Sequence, residues 1–469
     1  MHTFVRRHRR FFLAIALAGL ALRLFFFFHF RTITDDSRVY ADFASNWLQH
    51  GVYGQTELGQ IVPSDSRLPG YPAFLAVLFG LFGTSNFNAV LSTQILLDIL
   101  TCFIISDLAR RVVSERAACI AFVLACLCPF LANYSAAALT ESLEVLFTAL
   151  ALDLAVVGLE SFESPVRFSW MAWAGCGAAI GAGILLRPDG GILLAGVMLY
   201  VAFASWKRWR QGGKLAAIAQ AGMIAAFCAL APLVLWTLRN FYTLHHFQPL
   251  APRYANETDE LTPRGFNRWV KTWLVDYVSV EEIYWNVPGE KVDATKLPNR
   301  AFDWQVQRDR TLALIADYNQ SQEITLELDR RFGKLAAERI RTHPARYYIV
   351  LPLARIADMW MRPRTEIMPP DPRWWEFNDE RRSSLITVMW GIVNLAYVIA
   401  ACVAIFYRGS RVRYLGLLLT FVLLRSAFLG TLENPETRYT LECYPVVIVL
   451  AAALDWKGQK SEASQPGIL

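Results

Sequence analysis

FFLAIALAGLALRLFFFFHF (residues 11–30) runs, after a single arginine, into TITDDSRVYADFASNWLQHGVYG (residues 32–54). The first stretch has the length and apolar character of a membrane-crossing helix, which takes roughly 20 residues. Two adjacent carboxylates, Asp35 and Asp36, follow where that helix should leave the bilayer, and Asp42 comes soon after. Carboxylates at a membrane face are either ordinary headgroup-zone solvation or chemistry, and the rest of the chain decides between them.

Apolar blocks of this kind recur along the 469 residues, of which 55% are hydrophobic and only 18% charged. The mean hydropathy is +0.30. A soluble chain of this size would carry more charge, so the composition indicates a polytopic membrane protein. The net charge of +6 reflects basic loops, not a nucleic-acid surface. The start, MHTFVRRHRR before an apolar block, has no small-residue cleavage site after it and reads as an uncleaved first helix. Seven of the eight cysteines lie within apolar blocks and Cys443 lies near the start of the last one. They read as small packing residues, and no Cys/His metal spacing is present.

About ten spans are expected, near 11–31, 86–107, 117–134, 139–160, 169–187, 190–206, 214–238, 384–407, 412–431 and 438–455. The basic stretches RRHRR (6–10), ARRVVSER (109–116), KRWRQGGK (207–214) and YRGSRVR (407–413) then share one side, which places both termini in the cytoplasm. The chain divides into an N-terminal membrane module (1–239) with a first outer loop (32–85), an outer-face segment (240–382), and C-terminal membrane helices with a short cytoplasmic tail (383–469). In the first loop, VYADFASNWLQHGVY (39–53) has the spacing of a helix lying flat on the membrane. LPGYPAFLAVLFGLFG (68–83) is shorter than a span and reads as re-entrant or interfacial. The outer segment ends in TLELDRRFGKLAAERIRTHPARYYIVLPLARIADMW (325–360), expected to be helical with interruptions at Pro344 and Pro352. Its end is expected to be apolar on one side and basic on the other, as in an interfacial helix.

Charges at the outer ends of spans are costly and usually have a partner or a task. Here Asp35, Asp36, Glu141, Arg187, Asp189, Arg239 and Arg438 all fall at one membrane face, from helices distant in sequence. Helix-dipole stabilisation is the bland alternative for Glu141, with Thr140 or Ser135 as caps. Snorkelling is the bland alternative for Arg187 and Arg239. Asp98 and Asp153, deeper in apolar blocks, have no assigned partner, and His245 and His246 read as loop residues.

The ordered set DSRVYADFASNWLQHGVYG (36–54), SRLPGYPAFLAVLFGLFG (66–83), PFLANYSAAALTESLEVLFTALAL (129–152), WTLRNFYTLHHFQPLAP (236–252) and ERIRTHPARYYIVLPLARIADMW (338–360) resembles the GT-C membrane glycosyltransferases. It resembles in particular the family 39-like group that includes protein O-mannosyltransferases and aminoarabinose transferases. The resemblance implies an all-α polytopic fold, a GT-C transmembrane bundle with interfacial helices and a mainly helical outer segment. It also implies a transferase that moves a sugar from a polyprenyl-phosphate donor to a lipid, glycan or protein acceptor at the periplasmic face of a bacterial inner membrane, with inversion. The first-loop Asp-x-x-x-aromatic pattern, counted back from Tyr40, makes Asp36 the catalytic base and Asp35 the fallback. Ser37 stands where many members carry a second carboxylate.

A positioned carboxylate can deprotonate an acceptor hydroxyl, and arginine suits the charge growing on a departing phosphate. Arg187, Arg239 and Arg438 are the candidates, followed by Arg67. Tyr439 is expected on the phosphate or as an interfacial anchor, and Tyr40 beside the substrate. Glu141 is expected to orient the acceptor or to help hold a divalent cation, Mg²⁺ or Mn²⁺, although no metal ligand set is assigned. The rival class is a transporter or lipid flippase. Against it stand the lack of an inverted repeat and the clustering of charge at one face instead of the midplane.

Overall fold

The computed structural model describes residues 2–163, 169–210, 216–254, 261–370, 372–377 and 381–454. A short α1 (His2–Arg7) leads into α2 (Arg9–His29), and α3 (Asp35–His50) begins the first outer loop. Strands β1 (Gly54–Glu57) and β2 (Gln60–Pro63) form an antiparallel hairpin. The membrane module continues through α4 (Gly70–Phe82), α5 (Phe87–Val112), α6 (Glu115–Cys126), α7 (Pro129–Ser135), α8 (Glu141–Glu163), α9 (Trp170–Leu186), α10 (Gly191–Arg210) and α11 (Ala216–Leu244). The outer segment carries α12 (Arg264–Val270), α13 (Tyr277–Ser279), α14 (Gln305–Ser321), α15 (Leu326–Thr342) and α16 (Leu351–Met361). Helices α17 (Arg381–Arg408), α18 (Leu415–Gly430) and α19 (Tyr444–Ala452) return the chain to the bundle. The protein is thus an all-α, multi-pass integral membrane protein, as expected.

Among the described residues six helices are long and apolar enough to cross a membrane, or seven if α6 and α7, bent by 51°, count as one span. Three of the ten expected blocks fall short. Helices α9 and α18 have 17 and 16 residues, which reach only about 25 Å at 1.5 Å per residue. The last block opens as a 3-10 turn over Thr437–Cys443 and keeps nine residues of α-helix. Part of the basic loop 207–214 and the C-terminal tail lie outside the described residues. Helix α4 is a 13-residue apolar helix, too short to span, in keeping with its interfacial reading.

Small residues let α9 touch its neighbours. A Cβ on Gly177 would lie 2.3 Å from the carbonyl oxygen of Ala225, and one on Gly181 2.8 Å from that of Ala229. The two glycines sit one helical turn apart, so α9 and α11 meet backbone to backbone there. All eight cysteines are free, and five of them are buried.

Asp98 finds its partner inside the bundle. Arg23 of α2, fully buried, donates from Nε to Asp98 Oδ2 of α5 at 2.6 Å and from Nη1 to the Gly19 and Cys126 carbonyls. Asp153 lies 3.3 Å from Arg111, which also pairs with Asp107 and Glu160. Breaking a buried pair by removing one partner costs about 3–5 kcal/mol. Arg23→Leu is therefore expected to lower the melting temperature in detergent sharply, and Arg23→Leu/Asp98→Leu to recover much of the loss. A double variant as unstable as the single one would show that the pair is not the cause.

The outer segment has its own core, built on Phe266, Trp269, Trp273, Ile315, Tyr318 and Phe332. Buried Arg339 stitches it, donating to Thr272, Gln307 and the carbonyls of Arg300 and Ala301. Burial raises the Asp303 carboxyl, but Arg346 and Arg339 outweigh it and hold the group below its usual range. Pro344 breaks the helix as expected. Pro352 does not, because it lies in the first turn of α16, where a missing N–H is tolerated, directly after a π-helical turn over Arg346–Val350. The expected basic side of this helix also turns inward at Arg355. That buried guanidinium donates to the carbonyls of Leu274, Gly430 and Lys271, while Tyr348, Ile349 and Leu353 stay exposed.

Candidate functional site

The first outer loop is fastened to the turn that carries Glu141. Thr32 bridges this turn, its N–H donating to the Ala136 carbonyl and its own carbonyl accepting from Ala138 N–H, each at 3.1 Å. Helix α3 then starts from a reciprocal cap: Ser37 N–H donates to Thr34 Oγ1, and Thr34 N–H donates to Ser37 Oγ. Ser37 is fully buried in this role, so the residue in place of a second carboxylate fixes the helix start on which Asp36 rides. Asp42 accepts from Thr56 N–H and Oγ1 and ties the hairpin to α3.

The two aspartates of the opening stretch part company. Asp35 is 95% exposed and pairs on the surface with Arg38. Asp36 is 40% exposed and faces a cavity of about 860 Å³, with Arg67 at 3.3 Å and Arg438 at 3.9 Å. Tyr40, one turn on, lines the same cavity and packs edge-on to Tyr71. Burial raises its hydroxyl to about 12, against the pull of Arg67, so Tyr40 enters the site as a neutral donor.

Glu141 is only 4% exposed and stands between two arginines, 3.9 Å from Arg187 and 3.7 Å from Arg438. Its Oε2 has no hydrogen-bond partner. Arg187 follows α9 at the turn Pro188–Gly190. Its contacts to Glu144 (3.7 Å) and Asp189 (3.4 Å) are also longer than a tight ion pair, and its guanidinium lies over the Tyr439 ring at 4.4 Å. A guanidinium held by charge and stacking, without tight hydrogen bonds, has its fork of donors available to an incoming anion.

Arg438 and Tyr439 sit on the 3-10 turn Thr437–Cys443, and two further arginines hold that turn. Arg364 donates to the Thr437 carbonyl, Thr440 Oγ1 and Tyr444 Oη. Arg425 donates to the Tyr439 carbonyl and pairs with Asp189 at 3.1 Å and Glu442 at 2.6 Å. Both are fully buried. Through these contacts they locate the turn that presents Arg438.

Seven of the nine expected site residues therefore line one cavity: Asp36, Tyr40, Arg67, Glu141, Arg187, Arg438 and Tyr439. Asp35 and Arg239 do not. Arg239 is a strut, donating to the Ser64 and Tyr53 carbonyls and to Asn240 while stacking on Tyr53 and Trp236. It pins the hairpin loop to α11. Tyr439 also differs from expectation: its hydroxyl donates to Glu436 and accepts from Asn434, so it offers the arginines its ring face. His246 pairs with Asp65 at 2.7 Å, as a loop residue. Among the described residues no group of three or more His, Cys, Asp or Glu is arranged to hold a metal. Asp36 and Glu141 each face arginines, a donor set that does not fit the divalent cation envisaged for them.

The cavity has a second half that the sequence did not flag, walled by Arg253, Tyr254, Tyr284, Trp285, Glu433 and Asn434. Glu433 accepts from Arg253 at 2.8 and 3.0 Å and from Tyr254 at 3.4 Å. These residues come from loops of ordinary polar composition. The single available signal was Glu433, at the head of the same ENPETRY stretch that yielded Arg438.

Residues 65–236 match the family of dolichyl-phosphate-mannose-protein mannosyltransferases. Among solved structures, the chain is similar to the archaeal oligosaccharyltransferase AglB from Archaeoglobus fulgidus, in complex with an inhibitory peptide and a dolichol-phosphate. The identity is 12% and the TM-score 0.51, over 95% of this chain and 50% of that one. It is also similar to ArnT from Cupriavidus metallidurans bound to undecaprenyl phosphate, with 15% identity and a TM-score of 0.38, over 93% of this chain and 77% of that one. The chain spans about half the length of the archaeal enzyme. No curated protein matches.

Proposed function

We propose that this chain, which has the fold of the GT-C membrane glycosyltransferases and a family 39-like match in its membrane module, transfers a sugar from a polyprenyl-phosphate donor to an acceptor hydroxyl at the outer face of the membrane. The observation that carries the reading is the meeting, in one cavity, of the half-exposed carboxylate of Asp36 with two arginines: Arg187, whose contacts are all 3.4 Å or longer, and Arg438, whose Nε is anchored on Glu436 at 2.6 Å while its other nitrogens face Asp36 and Glu141 at 3.9 and 3.7 Å. Arg187 and Arg438 bind the donor phosphate. Asp36 takes the proton of the acceptor hydroxyl as its oxygen attacks the anomeric carbon. The bond from that carbon to the phosphate oxygen breaks with its electron pair on the phosphate, and the two guanidiniums stabilise the charge that develops there. Attack from the side opposite the leaving phosphate inverts the anomeric centre.

Glu141, buried between the two arginines, draws both guanidiniums toward one point of the cavity. With the N-terminus cytoplasmic, as the basic loops indicate, the cavity opens on the periplasmic side of a bacterial inner membrane. The outer segment selects the acceptor, whether lipid, glycan or protein. The test is release of label from a panel of radiolabelled polyprenyl-phosphate sugars by the purified protein. Release from at least one donor is expected. Movement of the lipid across liposome membranes with no release from any donor would replace the transferase with a flippase.

A further inference from the structure

We infer that the aromatic half of the cavity seats a pyranose ring, and that Trp285 is its platform. This inference rests on the transferase reading and deepens it by naming the chemistry that this part of the site accepts. The cavity is chemically divided. Its membrane-side half presents Arg187 and Arg438. Its outer half presents Trp285, Tyr284 and Tyr254 beside Glu433 and Asn434.

The outer half is rigid. Trp285 ends the π-helical turn Val280–Tyr284 and packs edge-on to Tyr277 at 5.7 Å, with 46% of the residue still exposed. Tyr284 stacks in parallel on Phe266, in the core of the outer segment. Glu433, almost fully buried, is fixed by Arg253 and Tyr254, with Lys271 at 3.8 Å. Arg253 of this half is tied to Glu433 through Nη2, so a phosphate would have to compete with that carboxylate for it.

Three acceptor chemistries can be compared with this surface. An extended peptide would use an exposed strand edge. The sheet among the described residues is the hairpin 54–63, and none of its residues lines the cavity. An anionic headgroup would need an arginine that is not already paired. A pyranose has one face of C–H groups, suited to an aromatic ring, and a rim of hydroxyls that donate to carboxylate and amide oxygens. Trp285, Glu433 and Asn434, which line the same cavity, offer that complement. The ring has two possible sources, the sugar being transferred or a sugar of the acceptor.

The test uses the full chain in detergent with methyl α-mannopyranoside and methyl β-glucopyranoside as probes, read by saturation-transfer NMR, and with undecaprenyl phosphate titrated separately. Binding of at least one glycoside to the wild type is expected. Trp285→Ala should weaken it about tenfold or more, the scale of one lost aromatic platform, and Trp285→Phe should retain most of it. Both variants should bind undecaprenyl phosphate like wild type, which also shows that they are folded. Glycoside binding that is equal in wild type and Trp285→Ala, or absent in the wild type, overturns the inference.

Preloading with an undecaprenyl-phosphate sugar separates the sources. Loss of glycoside binding assigns the platform to the transferred sugar, and persistence assigns it to the acceptor. A wild type that binds glycosides but no undecaprenyl phosphate would sink the transferase reading and leave the platform standing.

Discussion

Asp36→Asn is expected to lower sugar transfer about 10²–10⁴-fold, the usual contribution of a positioned general base, with undecaprenyl-phosphate binding preserved. Asparagine keeps the shape and the contact with Arg67 but cannot take a proton. Asp35→Asn is the matched control. That carboxylate is 95% exposed and pairs only with Arg38 on the surface, where such pairs contribute roughly 0–1 kcal/mol, so turnover should stay within about twofold. Single-turnover measurements on donor-saturated protein isolate the chemical step. Full activity in Asp36→Asn would move the base to Glu141, which lies 3.9 Å from Arg187 and 3.7 Å from Arg438.

The second large effect concerns the phosphate. Arg187→Ala and Arg438→Ala are each expected to lower turnover about 10²–10³-fold, the loss seen when one preorganised donor to a developing anion is removed, and to weaken undecaprenyl-phosphate binding. The two losses should not add. Both side chains face Glu141 and stack on Tyr439, so removing either one lets the other shift. Arg187→Lys should recover only part of the loss, because a point charge replaces a planar fork. Arg239→Ala provides the contrast. It should lower thermal stability while leaving donor affinity near wild type, since Arg239 bonds to backbone carbonyls away from the cavity. Donor affinity lost in Arg239→Ala and kept in Arg187→Ala would reverse the assignment.

What the sequence disclosed depended on contrast. Asp36, Glu141, Arg187 and Arg438 are charges set in apolar surroundings, and such charges are informative because lipid makes them costly. Arg239 offered the same signal for another reason. A long side chain at a helix end can satisfy carbonyls of a neighbouring loop as readily as a ligand, and spacing along one chain does not distinguish the two. Trp285, Tyr254 and Asn434 lie in water-facing loops, where aromatic and polar residues stand out from nothing. Arg364 and Arg425 were hidden for the opposite reason: each is buried inside the fold, and their partners Thr437, Thr440, Asp189 and Glu442 come from other segments. The lengths of α9 and α18 were nearly legible, since the expected blocks 169–187 and 412–431 overshoot the helices Trp170–Leu186 and Leu415–Gly430 by only a few residues.

The pairing of Arg23 with Asp98 has a consequence for how the protein is made. Arg23 lies six residues before the end of α2, and its partner belongs to α5. During synthesis the first membrane helix is therefore complete while its arginine still lacks a counter-ion, and a lone arginine near a helix centre costs about 2.5–3.5 kcal/mol in insertion. The arrival of α5 removes that cost. The pair thereby ties α2 to α5 across the stretch that carries Asp36 and Arg67, so the first helix is fully accommodated only once the fifth has joined it.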